Sequence, residues 1–575
     1  MNAERLLMHY EKIAEAPDAI ARLRRFILDL AVHGKLVPQD ANDEPASELL
    51  KRIAKEKARL VKAGEIRTPK AIPALSGPPF QIPTNWRWSQ LAEIGLLSPR
   101  NEAPDALEAS FVPMPLIAAD YGVANQHEIR PWGEIKKGYT HFAEGDVGLA
   151  KITPCFENGK SAVFRDLTGR IGAGTTELHI VRPLFVDQDY ILLFLKSPHF
   201  IETGIPKMTG TAGQKRVPTE YFALSPFPLP PLAEQHRIVA KVDELMGLCD
   251  RLEAAQAGRE AVRDRLTAAS LARLNESDLE TFQADARFAL GVLPAVTTRP
   301  DQIKALRRTI LNLAVRGRLV PQDTKDEPAS KLLKRIAMEK TGSNKPRLFP
   351  TADTLSKSDG FDPHLMLPIG WVWACLGEIT HVGTGLTPSK VQPSYYDGGN
   401  IPWINSSATS ADVIREAKFF VTPFAVKECR LKIYPAGSLV VALYGQGKTR
   451  GQVAELGLDA TVNQACAVVQ WLPSFHEMKG FVRLTLEQQY DAIRERAEGG
   501  PQPNLNVGKI KERLFPLPPL AEQRRIVARV DALMALCDRL EASLTAAAAV
   551  RRHLLDALLA EALAPGEDRE LEAAE

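Results

Sequence analysis

At 575 residues the chain is long enough for several domains, and 45% hydrophobic with 25% charged residues is the composition of a globular protein able to bury sizeable cores. A formal net charge of +2 excludes a uniformly basic coat, so any nucleic-acid surface must be local or shared with a partner. No apolar run approaches the roughly 20 residues that span a bilayer, and Cys155, Cys249, Cys375, Cys429, Cys466 and Cys537 show neither a CxxC pair nor metal-ligand spacing, so no membrane, no metal and a reducing, cytoplasmic setting are expected.

The N-terminal MNAERLLMHYEKIAEAP mixes charge with apolar residues and has no secretory core. From Ile20 to Lys57 the text IARLRRFILDLAVHGKLVPQDANDEPASELLKRIAKEK predicts a helical hairpin. Leu23, Ile27, Leu30 and Ala31 share one face, Gly34 ends the first helix, Leu36 to Asp40 turns, and Glu44-Pro-Ala-Ser47 opens the second. Residues 61–81 read as a linker. IPTNWRWSQLAEIG follows from Ile82, with Trp86 and Trp88 two apart on a strand, a spacing that suits core packing better than base stacking. Short β-rich runs between Gly-containing turns then extend to Pro226.

Pro231 to Ala254, PLAEQHRIVAKVDELMGLCDRLEA, begins a helix sharply behind prolines. Ile238, Val242, Leu245, Cys249 and Leu252 are spaced four, three, four and three apart, which is a coiled-coil seam. Run through Leu266, the helix holds roughly 40 residues and is about 60 Å long.

The whole arrangement is then written again. Ile303 to Lys340 matches Ile20 to Lys57 at 28 of 38 positions, Trp371 and Trp373 repeat Trp86 and Trp88, and Phe515 to Ala542 matches Phe227 to Ala254 at 24 of 28. The second seam is Ile526, Val530, Leu533, Cys537 and Leu540, and the twin helix is the nearest partner for the first. Between the matched segments the two copies diverge. A frame kept matched around two different payloads suits a device that presents two recognition surfaces at fixed separation, and on two-fold DNA that means a bipartite, asymmetric site.

These residues give the chain a resemblance to the specificity (S) subunits of type I restriction-modification enzymes. The carriers are FPLPPLAEQxRIVAxVDxLMxLCDRLEA twice, GxLVPQDxxDEPASxLLKRIAxEK twice, and the IPxxWxWxxLxEI domain start. The resemblance implies an α+β fold, a tandem duplication of a mixed α/β target-recognition domain plus long helices forming an antiparallel coiled coil with pseudo-two-fold symmetry. Laid on this chain, it gives helical regions at 1–60 and 281–340, linkers at 61–81 and 341–366, target-recognition domains at 82–228 and 367–516, long helices at 229–280 and 517–565, and an acidic tail at 566–575. It also implies double-stranded DNA and two methyltransferase (M) subunits as partners, with two restriction/translocase (R) subunits where a nuclease exists. S-adenosylmethionine would belong to the methyltransferase, ATP and Mg to the motor-nuclease, and no cofactor to this subunit.

No catalytic centre is expected in the chain itself. Gly77-Pro78-Pro79-Phe80 has glycine where an amino-methyltransferase motif needs a polar residue, and Gly447-Lys448-Thr449 has Ala442 where a phosphate-binding loop needs glycine. Glu157-Asn-Gly-Lys160 has one residue too many for a nuclease core. For base contacts, donors and acceptors on turns are the candidates, with Arg or Lys suited to guanine and Asn or Gln to adenine. In the first domain these are Lys151, Asn158, Lys160, Thr175, Thr176, Gln214, Lys215 and Arg216. In the second they are Gln446, Lys448, Thr449, Arg450, Asn463, Gln464, Gln502, Asn504 and Asn506. Some of them can hold phosphates instead. The rival reading, a scaffold joining two protein-binding domains without DNA, fits this polar turn chemistry less well.

Overall fold

The computed structural model describes residues 15–16, 18–68, 71–75, 77–211, 213–276, 280–341, 366–444, 449–490 and 505–563. The chain forms two compact units, one of residues 1–260 with 547–575 and the other of 261–546.

In the first unit, α1 (Ala19–Val32) is amphipathic because Phe26, Ile27, Leu28, Ala31 and Val32 recur on one side. Gly34 follows at φ +67°, and a Cβ there would meet Pro83 Cγ at 2.5 Å, so both the left-handed backbone and the close approach require glycine. α2 (Ala46–Lys62) buries Ala46, Leu49, Ile53 and Leu60. The globular part enters through β1 (Arg87–Gln90), behind a fully buried Trp86. It continues through β2 (Gly95–Leu97), β3 (Glu108–Val112), β4 (Glu128–Pro131), β5 (Thr140–Ala143), β6 (Val147–Ala150), β7 (Ser161–Val163), β8 (Ile171–Gly174) and β9 (Leu178–Pro183). Three helices follow, α3 (Gln188–Lys196), α4 (Pro198–Gly204) and α5 (Thr219–Leu224), before β10 (Pro226–Leu229) leaves antiparallel to β1. The strands make two sheets, β2-β9-β6-β7 and β4-β3-β8-β5, with β3 and β8 parallel. Next comes α6 (Leu232–Glu276), 45 residues long.

The second unit repeats this plan although its sequence diverges. α7 (Phe282–Val296) precedes α8 (Pro300–Val315) and α9 (Ala329–Thr341), and Gly317 at φ +66° meets Pro368 as Gly34 meets Pro83. The globular part has β11 (Val372–Cys375), β12 (His381–Thr384), β13 (Ile401–Ile404), β14 (Val413–Ile414), β15 (Phe419–Val421), β16 (Leu439–Ala442), β17 (Val453–Leu456), β18 (Thr461–Val462) and β19 (Cys466–Gln470). It closes with α10 (Lys479–Gln488), α11 (Val507–Lys511), β20 (Leu514–Leu517) antiparallel to β11, and α12 (Leu520–Leu563). Its sheets are β12-β19-β16-β17-β14 and β15-β13-β18, with β13 and β18 parallel. Thus β12, β19, β16 and β17 stand where β2, β9, β6 and β7 stand, and β15, β13 and β18 stand where β4, β3 and β8 stand. The place of β5 is held by a single bridge, Tyr434 to Ala460. The fold is α+β, a tandem of mixed domains on long helices.

The duplicated residues are the ones that bond to one another within each unit. Gln39 Nε2 donates to Glu234 Oε1 at 2.6 Å, and Gln322 Nε2 donates to Glu522 Oε1 at 3.1 Å. Arg237 meets Asp43 and Arg525 meets Asp326, each at 2.6 Å. Arg24 reaches Asp250 and Glu253 at 2.6 and 2.7 Å, and Arg307 reaches Asp538 and Glu541 at 2.7 and 2.9 Å. Identity in the frame is therefore identity of a contact set.

The near part of each seam is used inside its own unit. Ile238, Val242 and Cys249 join Ile27, Ala31, Trp86 and Phe227 in one core, and Ile526, Val530 and Cys537 join Ile310, Trp371 and Leu517 in another. Leu252 and Leu540, the last seam positions, are 39% and 37% exposed. The first turns of each seam also serve a globular domain and the hairpin beside it, which offer more apolar surface per turn than one helix can. Each unit also holds the closing turns of the other long helix. In the first unit Leu555 and Leu558 pack on Ala16 and Ala19, and Lys35 Nζ donates to Leu563 O at 2.8 Å. In the second, Asp264 of α6 takes Arg299 at 2.8 Å and Gln302 at 2.9 Å.

Candidate nucleic-acid interface

Those of the candidate residues that the structure describes fall on loops that occupy corresponding places in the two units. One follows β6 or β16, one joins β8 to β9 or β18 to β19, and one precedes the short helix α5 or α11. The correspondence is fixed by strand register, since Ala150 pairs with Leu178 as Ala442 pairs with Cys466.

In the first unit the backbone gathers these loops at one end of the β2-β9-β6-β7 sheet. Lys151 N–H donates to Glu177 O at 2.9 Å, and Lys151 O accepts from Val217 N–H at 2.8 Å. Thr209 and Arg216 exchange backbone bonds at 3.0 and 2.8 Å, which closes a hairpin on which Gln214 and Lys215 are exposed. Thr175 Oγ1 accepts from Glu177 N–H at 3.2 Å, and Thr176 is exposed beside it. Arg216 donates through Nε and Nη2 to the two carboxylate oxygens of Glu177, both at 2.9 Å. The Arg216 hydrogen bonds, with Lys151 nearby, hold the Glu177 carboxyl below its usual range, and burial pulls the His179 imidazole down. Lys151, Thr175, Thr176, Gln214, Lys215 and Arg216 therefore form one polar surface.

Asn158 and Lys160 do not join it. Lys160 Nζ turns back to Met114 O at 3.3 Å, and Asn158 lines a cavity of about 880 Å³ with Tyr121, Lys196 and Asp243. Lys196, its ammonium pulled down to about 7 by burial, donates to Ala119 O at 2.7 Å and Gly159 O at 3.0 Å, so it fastens the loop that carries Asn158.

In the second unit Asn463 and Gln464 occupy the β18–β19 turn. Asn463 Oδ1 accepts from Ala465 N–H at 3.1 Å, and Gln464 Oε1 accepts from Thr387 Oγ1 at 2.6 Å. Gly385 brings that Thr387 loop in, because its α-carbon lies against Val462, where a Cβ would meet the carbonyl oxygen at 1.6 Å. Thr449 and Arg450 are half-buried in the loop after β16, where Thr449 O accepts from Gln452 N–H at 3.2 Å. Asn506 is occupied as the N-cap of α11, accepting from Lys509 N–H at 2.8 Å. Gln446, Lys448, Gln502 and Asn504 lie outside the described residues.

Two residues that hold candidate side chains carry little signal in the sequence. Glu177 sits next to Thr176 in GTTELHIV, and its pairing with a residue 39 positions away leaves no local signal. Thr387 had a weak one, the GTGLTP turn. Phe80 of the Gly77-Pro78-Pro79-Phe80 stretch stacks on His33 with ring centroids 3.9 Å apart, a packing role. Among the described residues no His, Cys, Asp and Glu group could hold a metal ion, and no helix is long and apolar enough to cross a membrane.

Residues 368–548 match the family model described as type I restriction modification DNA specificity domain. The chain is 37% identical over 553 residues to the type I restriction enzyme EcoAI specificity subunit of Escherichia coli, covering 94% of this chain and 93% of that one. It is 38% identical over 564 residues to the EcoEI specificity subunit of Escherichia coli, covering 95% and 94%. Among solved structures it resembles the HsdS subunit from Thermoanaerobacter tengcongensis, with TM-score 0.44 and 21% identity over 84% of this chain and 98% of that one.

Proposed function

This chain belongs to the specificity subunits of type I restriction-modification enzymes, and on that premise we propose that its two globular domains read the two halves of a bipartite, asymmetric DNA site. The observation that carries the reading is the pair of equivalent loop sets. One strand plan presents Lys151, Thr175, Thr176, Gln214, Lys215 and Arg216 in the first unit and Asn463 and Gln464, with Thr449 and Arg450 nearby, in the second. The same scaffold bearing different donors and acceptors is what two different half-sites require.

The domains at 82–228 and 367–516 do the reading, and the long helices set the gap between half-sites. Two methyltransferase subunits dock on this chain, and each modifies an adenine that it flips out of the duplex. Restriction/translocase subunits join where a nuclease accompanies the system. S-adenosylmethionine, ATP and Mg bind in those partners, and this chain contributes recognition without chemistry. Asn158 and Lys160 serve the loop's position, and Asn506 caps its helix.

The test is single-molecule sequencing of adenine methylation in host DNA with this gene intact and deleted. A split motif of fixed gap that vanishes on deletion is expected. An unchanged methylome, in a host where the partner methyltransferase is expressed and active, refutes the reading.

A further inference from the structure

Glu177 and Arg216 form a unit with a property that neither residue has alone. A guanidinium carries five N–H donors in a fixed plane. Arg216 spends Nε and one N–H of Nη2 on the Glu177 carboxylate, at 2.9 Å each, and one N–H of Nη1 on Gln214 O at 3.2 Å. What remains is one N–H on each terminal nitrogen, and these are the donors the guanidinium can still offer. The backbone fixes where they stand, because Arg216 is bridged both to Thr209 across its hairpin and to Ile152 after β6. The Arg216 side chain is 43% exposed while Glu177 is 23% exposed, so the carboxylate is the inner member and the fork faces outward.

Two parallel donors fit two adjacent acceptors, and a DNA duplex offers that pair on the guanine edge, O6 with N7, and on a phosphate. Charge separates the two. A lone arginine suits a phosphate, but the carboxylate beside Arg216 offsets its charge, so that Lys151 and Lys215 on the same surface are the better phosphate partners. A neutral base edge loses nothing by this neutralisation and gains from a fork that is already immobile. Adenine is rejected, because its N6 amino group would oppose one of the two donors.

We propose that Arg216 reads a guanine in the major groove of the half-site contacted by the first domain, with Glu177 as the positioning residue that aims its fork. The inference rests on the DNA-reading function above and adds a base to it. It also makes the half-sites differ by construction. In the β18–β19 turn of the second unit, Ala465 stands at the place of Glu177, after Asn463 and Gln464, so that turn has no carboxylate to hold a guanidinium.

The test compares the methylation motifs of hosts carrying the wild-type chain, Arg216→Ala, Arg216→Lys and Glu177→Gln, each as full-length protein with its methyltransferase partner. A good bidentate base contact is worth about 5- to 150-fold in discrimination. The expected result is that all three variants relax one guanine position of one half-site by that factor and leave the other half-site intact. Glu177→Gln separates aiming from mere contact, because it keeps the shape and removes the charge. Methylation lowered uniformly at all sites, with the motif unchanged, would make Arg216 a phosphate contact and overturn the proposal. So would a motif without guanine in the affected half.

Where a variant abolishes methylation, binding by the wild-type complex decides. Duplexes with each guanine of a half-site replaced in turn by 7-deazaguanine should lose about 5- to 150-fold in affinity at one position. No loss at any position overturns the guanine contact. A wild-type methylome with no gene-dependent motif fails the functional reading itself, whereas a motif indifferent to Arg216 fails this inference alone.

Discussion

Asp29 offers a test of how the frame is joined to its domain, and the molecule contains its own control. Its carboxylate sits where α1 packs on α4 and accepts from His199 N–H at 3.3 Å. Burial pushes the carboxyl from 3.8 up to about 6, with Glu202 adding to the rise against His199 N–H and Arg25. The equivalent position in α8 is Asn312, which carries no charge and accepts from Gln488 Nε2 at 2.9 Å. Asp29→Asn therefore gives the first unit what the second already has. Below pH 3.8 the group is protonated in both folded and unfolded chains and costs nothing. Between 3.8 and 6 the unfolded chain releases its proton while the folded one keeps it, so stability falls as pH rises. Above 6 the full cost is present, with a ceiling of ~3 kcal/mol at 1.36 kcal/mol per pH unit. The variant should be stabilised at pH 8 by up to about that amount, by half or less near pH 5, and hardly at all at pH 4. Hydrogen exchange of the α1 and α4 amides in the full-length chain at the three pH values reads this locally. A variant effect independent of pH, or a loss of protection at pH 8, would refute the account of a half-buried, destabilised carboxylate.

Trp371→Phe removes the donor that meets Glu522 Oε2 at 3.0 Å in a buried setting. It should cost about 1.5–3 kcal/mol in urea unfolding of the second unit, and less than ~0.5 would mean that water replaces the indole. Lys196→Met keeps the apolar stem but orphans the carbonyls of Ala118 and Ala119, while Gly159 O keeps its bond from Ser161 Oγ at 3.2 Å. A cost of at least ~2 kcal/mol is expected, with faster exchange confined to those loops. Lys215→Ala removes an exposed cation from the hairpin and should lower the slope of log affinity against log salt by about 1 without changing the motif. Unchanged affinity at moderate salt would take Lys215 out of the interface.

The frame was legible in the sequence because its residues answer one another in two copies. LVPQD, the Trp signature and PLAEQ recur in order, and the structure joins them through Gln39 to Glu234 and Arg237 to Asp43. The common strand plan of the two globular parts was not legible. Their strands are two to six residues long, β18 being two and β9 six, so hydrophobic alternation has little length in which to appear. Their pairing is also non-local, as when β3 runs parallel to β8 some 60 residues later. Of the residues proposed for DNA contact in the first unit, the fold gathers Lys151, Thr175, Thr176, Gln214, Lys215 and Arg216 on neighbouring loops. Residue type alone does not show which side chains have a structural duty, as Lys160 has toward Met114 O and Asn506 toward Lys509 N–H.

The way each domain is seated explains how one frame can carry two payloads. The chain enters each globular part by one strand and leaves by its antiparallel neighbour, β1 with β10 and β11 with β20, in the same register, Arg87 to Leu229 and Val372 to Leu517. The leaving strand is written FPL in both, and Trp86 and Trp371 stand buried at the two entrances. Everything between the two strands can change without moving the frame, provided that the helix lying on α1 or α8 still packs. That proviso is where the copies are tuned to their contents. Asp29 faces His199 in one unit and Asn312 faces Gln488 in the other, so a frame position departs from its twin where it touches a payload that differs. At Asp29 and Asn312 the sequence difference between the frames marks the seat of a domain, while the identities at Gln39, Asp43, Glu234 and Arg237 hold the frame to itself.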